Sequence, residues 1–289
     1  MSTPTSLELP PGARRATVET ARGEFAVLDA MPAAGPSELG TALLVPGYTG
    51  SKEDFIAILG QLAAAGRRVI AVDQRGQNQT AGPDDPDAYD LRELGADVTA
   101  LVEATKATHL LGHSFGGLVV REAVIGGCSP VSLTLMSSGP AALPGARAEE
   151  LHFMLNYLDG TPTAALHAKV AEIWADVLKP EAVAAGVAHP VMAFLEERML
   201  ANNPTGLVTM ATHLLKAEDR TAELAARGIP TFVLYGEEDN AWPTSQQAEM
   251  AARLGAERTC IPSAAHNPNV EAPATTAHAL TKFWNENER

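Results

Sequence analysis

A serine flanked by two glycines is the strongest chemical signal in this sequence. Residues 112–116 read Gly-His-Ser-Phe-Gly, which is the pattern Gly-x-Ser-x-Gly with Ser114 at its centre. An apolar segment leads into the pattern and another leads out of it, which predicts a strand, a tight turn and a helix. A serine on such a turn lies at the carboxyl edge of a sheet, where its hydroxyl can attack a carbonyl carbon. The pattern alone is common by chance, and an inert serine in a glycine-rich turn is the alternative.

The turn and the segments around it resemble the α/β-hydrolase family over nearly the whole chain. That family places an acid and then a histidine after the serine in chain order. Asp239 follows an apolar strand and lies three residues after Gly236, as the family pattern requires, although Glu237 and Glu238 compete as acids. His266 follows the next short strand and fits the third position better than the other seven of the eight histidines.

These three residue types together imply acyl transfer. A serine hydroxyl is a weak nucleophile at neutral pH, and a neutral imidazole can take its proton as it attacks. An ionised carboxylate fixes the tautomer of that imidazole and stabilises the imidazolium. The resemblance therefore implies that Ser114, His266 and Asp239 are catalytic.

Two backbone N–H groups are expected to stabilise the negative charge that develops on the substrate oxygen. One is the N–H of Phe115, directly after the serine. By resemblance, the other is the N–H of Tyr48, in the loop after the first strand of the alternating series. Family members often have His-Gly in this loop, whereas this chain has Pro46-Gly47, so a side chain that commonly braces the loop is absent.

The segments that position these residues alternate between strand and helix. An edge hairpin is predicted over residues 15–32. Strands are predicted over residues 41–45, 68–72, 109–112, 131–136, 231–235 and 258–261, and helices over residues 52–65, 91–102, 115–125 and 244–254 and at the end of the chain. This order predicts an α/β fold with a mostly parallel twisted sheet and helices on both faces.

The alternation of strands and helices stops over residues 141–225, which show no convincing strand. We interpret them as an inserted helical cap between two parts of the core, residues 1–140 and 226–289. In the family such an insertion covers the site, so its large apolar residues are candidates for substrate binding. The substrate-binding candidates are Phe153, Met154 and Met199, together with Trp242, which we expect at the rim of the site. No acidic cluster in the insertion is distinctive enough in the sequence to support a peptidase.

The amino-acid composition limits the classes of molecule that the protein can bind. The net charge of −14 makes nucleic acid a poor partner, because like charges repel. No secretory signal or membrane span is apparent, which predicts a cytoplasmic protein. Two cysteines, Cys128 and Cys260, are expected to be buried and reduced, and no metal-ligand spacing or cofactor motif occurs, so neither metal nor cofactor is expected.

The sequence predicts a carboxylesterase-like serine hydrolase acting with water on a small-molecule acyl substrate. A C–C hydrolase, thioesterase, amidase or cofactor-free haloperoxidase-like perhydrolase fits the same three residues. A small-molecule receptor that retains the hydrolase pocket is the alternative from another class. A homodimer is left open. Serine at position 114 argues against dehalogenase or epoxide hydrolase chemistry, which uses aspartate there in this family.

Overall fold

One twisted sheet forms the centre of the molecule. The computed structural model describes residues 2–33, 35 and 39–288. Within them the sheet has eight strands: β1 Ala13–Thr20, β2 Gly23–Ala30, β3 Thr41–Val45, β4 Val69–Val72, β5 Ala107–His113, β6 Ser132–Met136, β7 Thr231–Gly236 and β8 Glu257–Ile261. Their order across the sheet is β1-β2-β4-β3-β5-β6-β7-β8. The β1–β2 hairpin is antiparallel, and β2 pairs antiparallel with β4, while the remaining neighbours are parallel.

Helices follow most of the strands. They are α1 Ile56–Ala64, α2 Leu91–Thr105, α3 Phe115–Ile125, α4 Gly145–Leu158, α5 Thr163–Ile173, α6 Lys179–Ala184, α7 His189–Ala201, α8 Pro204–Lys216, α9 Thr221–Ala225, α10 Thr244–Leu254, α11 Pro268–Glu271 and α12 Pro273–Glu286. Short 3-10 helices cover Lys52–Phe55 and Pro86–Tyr89, and a π-helical segment covers Trp174–Leu178. The predicted mostly parallel sheet with helices is confirmed.

The two faces of the sheet carry separate apolar cores because side chains alternate along each strand. In β3, Leu43 and Val45 pack with side chains of α2, α3 and α10. Ala42 and Leu44 point to the opposite face and pack with side chains of α1 and α12. Two helical layers therefore enclose the sheet and hold the ends of its strands in place.

The chain between β6 and β7 is helical. Residues 145–225, all of which the structure describes, form α4 to α9 and the π-helical segment, without a strand. We call this segment the helical insertion. Its own apolar cluster contains Val170, Trp174, Leu195 and Met199, and Tyr48 of the core packs against that cluster. The insertion is thus packed onto the loop that follows β3.

Two differences from the sequence analysis concern local details. The predicted helix over residues 52–65 begins as a 3-10 turn before α1. The expectation that both cysteines are buried is wrong for Cys260, which is exposed, whereas Cys128 is buried. Cys260 lies on β8, an edge strand that pairs only with β7 among the described strands, so one side of it lacks a covering neighbour. No helix of the described residues has the length and apolar character needed to cross a membrane.

Candidate active site

Ser114 occupies a strained turn between β5 and α3. Its backbone angles are φ 54° and ψ −120°, a conformation that residues with a side chain rarely adopt. The N–H of Ser114 donates to the carbonyl of Met136 at the end of β6, at 2.9 Å, which fixes the turn against the neighbouring strand. Close packing requires the following glycine, because a Cβ on Gly116 would lie 2.4 Å from the carbonyl oxygen of Pro46.

The structure brings Ser114, His266 and Asp239 into one hydrogen-bonded row. Ser114 Oγ lies 2.8 Å from His266 Nε2, and His266 Nδ1 lies 2.9 Å from Asp239 Oδ1. Asp239 follows β7 and His266 follows β8, so the parallel strands deliver all three side chains to the carboxyl edge of the sheet. The Asp239 side chain is fully buried, and that of His266 is 19% exposed. The imidazole can therefore reach both the serine and an incoming substrate.

Asp239 is held as an anion by several donors. Oδ1 also accepts the N–H of Ala241 at 2.9 Å, and Oδ2 accepts the amide of Gln247 at 2.9 Å. Burial raises the pKa of Asp239, but the hydrogen bonds and the neighbouring His266 outweigh it, so the pKa lies below its ordinary value. Gln247 was missed by the sequence analysis, although it lies three and four residues before Met250 and Ala251, a spacing that places it on the buried face of α10.

His113, next to Ser114, supports the loop that carries His266. Its side chain is buried, and its Nε2 donates to the backbone carbonyl of His266 at 2.8 Å. Burial, with a smaller contribution from His266, lowers the pKa of His113 to about 3, so it is neutral at pH 7. A neutral donor therefore fixes the position of the His266 backbone.

The loop after β3 lies directly against Ser114. A Cβ on Gly47 would be 3.0 Å from the Cβ of Ser114. The N–H groups of Tyr48 and Phe115 donate to no other described residue, which leaves both available to a ligand. Their role as the pair that stabilises the oxyanion stays a prediction.

Two glutamines brace this loop where the family commonly has a histidine. Gln74 Nε2 donates to the carbonyl of Pro46 at 2.9 Å, and Gln77 Nε2 donates to the carbonyl of Gly47 at 3.0 Å. Both glutamine side chains are buried. They hold the carbonyls of two successive peptide units, and the second of these units carries the N–H of Tyr48. Donors from the loop after β4 therefore brace the loop that contains Pro46-Gly47.

Comparison with known proteins agrees with this geometry. Residues 42–279 match the family described as "Alpha/beta hydrolase family". The chain belongs to the α/β-hydrolase family. A proline iminopeptidase from Levilactobacillus brevis is 29% identical over 272 residues, which cover 86% of this chain and 89% of that protein.

Solved structures share the fold. A thermophilic esterase from Thermogutta terrifontis has a TM-score of 0.70 at 21% identity and covers 96% of this chain and 100% of its own. An enol-lactonase from Burkholderia xenovorans LB400 has a TM-score of 0.71 at 19% identity, over 93% of this chain and 100% of its own. At identities this low, the similarity shows that this α/β hydrolase shares the fold of these proteins. It does not show which substrate this protein cleaves.

A cavity of about 700 Å³ opens at Ser114 and His266 in this hydrolase. Phe153, Met154 and Met199 of the helical insertion line it, and their part in substrate binding stays a prediction. Phe153 is 72% exposed and so belongs to the mouth, whereas Met199 is buried deeper. The cavity is thus bounded by the carboxyl edge of the sheet on one side and by the insertion on the other.

The expected position of Trp242 at the rim is wrong. Its side chain is 1% exposed and is absent from the described lining of the cavity. The indole N–H donates to the carbonyl of Ala141 at 3.1 Å, and its ring centroid lies 6.4 Å from that of His266. The chain turns inward after Asp239, so Trp242 packs beneath the catalytic histidine candidate.

Acidic side chains of the insertion border the same cavity, which the sequence analysis did not predict. They are Glu149, Glu150, Glu172, Asp176 and Glu181. Glu150 pairs with Arg147 at 2.9 Å and Glu172 with Lys169 at 2.8 Å. The other three have no ion-pair partner within the part of the chain that the structure describes. The helices of the insertion gather acids that are far apart in sequence, so the mouth is acidic as well as apolar.

Proposed function

We propose that this hydrolase cleaves carboxylic esters or related acyl compounds of small to medium, largely apolar substrates through an acyl-enzyme on Ser114. The observation that carries the proposal is the continuous row from Ser114 Oγ through His266 to Asp239, at 2.8 and 2.9 Å. These distances are the ones that a general base needs to take a proton from a nucleophile.

Acylation follows from this geometry. Ser114 Oγ attacks the carbonyl carbon while His266 Nε2 takes the hydroxyl proton, and the C=O bond opens to an oxyanion. The N–H groups of Tyr48 and Phe115 stabilise that charge, each contributing up to about 3 kcal/mol to lowering the barrier. His266 then gives its proton to the leaving alkoxide, and the carbon–oxygen bond of the ester breaks.

Deacylation repeats the sequence with water. His266 takes a proton from a water molecule, which attacks the acyl carbon and forms a second oxyanion. Collapse of that intermediate releases the carboxylic acid and returns the proton to Ser114. Throughout, the ionised Asp239 holds the Nδ1 proton of His266 and stabilises the imidazolium.

The size and lining of the cavity support small to medium substrates. A volume of about 700 Å³ accommodates a drug-sized molecule but not a polymer chain. Met154, Met199 and Leu214 make part of its wall apolar. Flexible methionine side chains adapt to different apolar groups, which favours a range of related esters.

A covalent probe tests the nucleophile. Incubation with a fluorophosphonate should add one phosphonyl group, and peptide mass spectrometry should locate it on Ser114. Ser114→Ala should remove both labelling and turnover. Asp239→Asn should lower kcat by about 10⁴-fold, since the imidazole would be held in the wrong tautomer. Folded protein that is never labelled at Ser114 would exclude the acyl-enzyme.

A substrate panel separates the chemistries that share these three residues. p-Nitrophenyl esters of increasing acyl length should be cleaved best at short to medium length. Thioesters, amides, C–C substrates and peroxide-dependent reactions should be slower than the matched esters. If the protein cleaves one of these classes faster than the matched esters, that reaction replaces ester hydrolysis as the proposed function. A protein that is labelled but turns over none of them fits the receptor alternative.

A second candidate is removal of an N-terminal residue from peptides. The proline iminopeptidase relative and the acidic mouth formed by Glu149, Asp176 and Glu181 favour it, because a protonated amine is attracted to unpaired carboxylates. Prolyl p-nitroanilide compared with its N-acetyl form discriminates. Faster cleavage of the free amine, lost in Asp176→Asn and Glu181→Gln, would favour the peptidase over the esterase.

A further inference from the structure

The loop after β3 is tied to the helical insertion as well as to the sheet. This loop, residues 46–51, carries the N–H of Tyr48 and ends at the 3-10 helix Lys52–Phe55. Near its start, the phenol of Tyr48 donates to Met154 Sδ of α4 at 3.6 Å. Arg198 of α7 makes a second tie at the other end of the loop. The position of the loop therefore depends in part on the insertion.

Arg198 reaches the core through a buried ion pair with Asp54. Its Nη1 donates to Asp54 Oδ1 at 2.7 Å, and both side chains are fully buried. Its Nη2 donates to the carbonyl oxygen of Ser2 at 2.6 Å, which fixes the other side of the guanidinium. Asp54 is part of the described lining of the cavity at Ser114, whereas Arg198 is absent from it. An effect of Arg198 on the reaction must therefore pass through the residues that it holds.

The carboxylate of Asp54 fixes the end of the loop after β3. Its Oδ2 accepts the N–H of Ser51 at 3.2 Å. It also packs so closely against Gly50 that a Cβ there would lie 2.5 Å from Oδ2. The N–H of Gly50 in turn donates to the carbonyl of Gly47 at 3.1 Å. Because that carbonyl belongs to the peptide unit that carries the N–H of Tyr48, the carboxylate is connected to the expected oxyanion donor.

The backbone of Asp54 also contacts the loop that follows β8. Its carbonyl accepts the side-chain amide of Asn269 at 2.6 Å, and Asn269 is fully buried three residues after His266. The loop that carries the Tyr48 N–H and the loop that carries His266 therefore meet at one residue. A displacement of Asp54 would change the geometry of both loops.

We propose that Arg198 is a positioning residue for hydrolysis, which acts through Asp54 on the loop that presents the N–H of Tyr48. An unpaired buried carboxylate is costly, so without the guanidinium Asp54 would turn toward water in the cavity that it lines. Ser51 and the peptide unit before Tyr48 would then lose their support. The inference rests on the proposed function, because this loop affects the rate only if it stabilises an oxyanion. The insertion thereby contributes to the rate of the reaction as well as to the wall of the cavity.

Steady-state kinetics on a p-nitrophenyl ester tests this role. Arg198→Met should lower kcat about tenfold and change KM by less than about twofold, since partial loss of one oxyanion donor acts mainly on the transition state. Arg198→Lys retains the charge but loses the forked donor, so its kcat should recover to within about threefold of the parent protein. Parental kcat in Arg198→Met, or a change confined to KM, overturns the proposal.

A double variant shows whether Arg198 acts through Asp54. Arg198→Met/Asp54→Leu leaves no unpaired buried charge, so it serves for the same measurements if Arg198→Met does not fold. If the two residues act as one unit, kcat in the double variant should fall about tenfold, as in either single variant. Losses that multiply to about a hundredfold would show independent effects and overturn the proposal. Parental kcat in the double variant would overturn it as well.

Arg220→Met is the matched control, because Arg220 also joins the insertion to a buried carboxylate of the core. It pairs with Glu122 of α3 and is absent from the described lining of the cavity at Ser114. Glu122 retains Arg121 as a partner at 3.2 Å, so this variant should fold and have the kcat of the parent protein. An equal loss of kcat in Arg220→Met and Arg198→Met would show that any loosening of the insertion slows the reaction. That result would overturn a specific role for Arg198.

Amide hydrogen exchange gives a result that does not depend on turnover. In Arg198→Met or the double variant, the peptide of residues 46–55 should exchange about tenfold faster than in the parent protein, whereas Arg220→Met should leave it unchanged. Unchanged exchange of this peptide in the Arg198 variants overturns the proposal, even if no ester is ever cleaved. Faster exchange in a protein that cleaves no ester would support the tie between Arg198 and the loop and reject the proposed function.

Discussion

Gln247 donates its side-chain amide to Asp239 Oδ2 at 2.9 Å, on the side of the carboxylate that faces away from His266. The same nitrogen donates to the carbonyl of Trp242 at 3.0 Å, and the Gln247 side chain is fully buried. The glutamine thus joins α10 to the loop after β7. It holds the carboxylate in the plane in which Oδ1 reaches the imidazole.

Replacing this glutamine should impair catalysis without unfolding the protein. Gln247→Leu leaves Asp239 Oδ2 without its donor, so we expect kcat to fall about tenfold, with a smaller effect on KM. Gln247→Glu should be worse at neutral pH, since it places a second carboxylate against Asp239. Steady-state kinetics on a p-nitrophenyl ester measures both.

The neighbouring glutamine provides the control for this prediction. Gln246 lies on the same helix and is exposed, so Gln246→Leu should match the parent protein. The lost hydrogen bond should also raise the pKa of Asp239 in Gln247→Leu. Since a depressed carboxyl pKa stabilises the fold above that pKa, the variant should lose stability at a higher pH during acid unfolding. Unchanged kcat in Gln247→Leu would contradict the positioning role.

His113 should make stability depend on pH in the acid range. Burial lowers its pKa from 6.5 to about 3, so between these values the unfolded chain binds a proton that the folded protein does not. Its contribution to stability is complete above pH 6.5 and is lost as the pH falls toward 3. Urea unfolding at several pH values should show stability rising with pH across this window.

Two substitutions separate this titration from the hydrogen bond of His113. His113→Gln and His113→Phe should both flatten the slope, because neither side chain titrates. Gln retains an N–H donor toward the carbonyl of His266, so it should retain more activity than Phe. A parent protein whose stability is flat over this window would contradict a neutral buried histidine.

The hydrogen bond from Gln77 to the loop after β3 should contribute to the rate of turnover. Gln77→Leu removes the donor to the carbonyl of Gly47, so the peptide that presents the Tyr48 N–H can rotate. We expect kcat to fall about tenfold with KM nearly constant, as for loss of an interaction made mainly in the transition state. Gln61→Leu on the exposed face of α1 is the matched control. A Gln77→Leu variant with a higher KM and an unchanged kcat would instead indicate that Gln77 contributes to substrate binding.

Gly116 should tolerate no side chain. In Gly116→Ala the new Cβ would lie 2.4 Å from the carbonyl of Pro46, so the turn and the loop after β3 must move apart. We expect a loss of about 1–3 kcal/mol in the free energy of unfolding, together with reduced fluorophosphonate labelling. Denaturant melts and labelling rates measure the two effects. Full stability with normal labelling would show that the two loops are less tightly packed.

Residues within single elements were predictable because their signals are local. The turn at Ser114 was predicted from an apolar strand, two glycines and an apolar helix, and α3 and α10 have the predicted bounds. Asp239 and His266 were assigned through the family order of residues, and the structure places them within hydrogen-bond distance of their partners. Catalysis by these residues stays a prediction that labelling and kinetics will test.

Contacts between distant elements were decided only by the tertiary structure. Helical spacing with Met250 and Ala251 places Gln247 on the buried face of α10, but the sequence does not show that its amide meets Asp239. Trp242 was assigned to the rim because it follows Asp239 closely, but the path of the loop buries it under His266. The acids at the cavity mouth lie on α4, α5, the π-helical segment and α6, whose packing brings them together. Local sequence patterns thus predicted the elements and the turn at Ser114, whereas the packing of those elements determined which polar groups surround that turn.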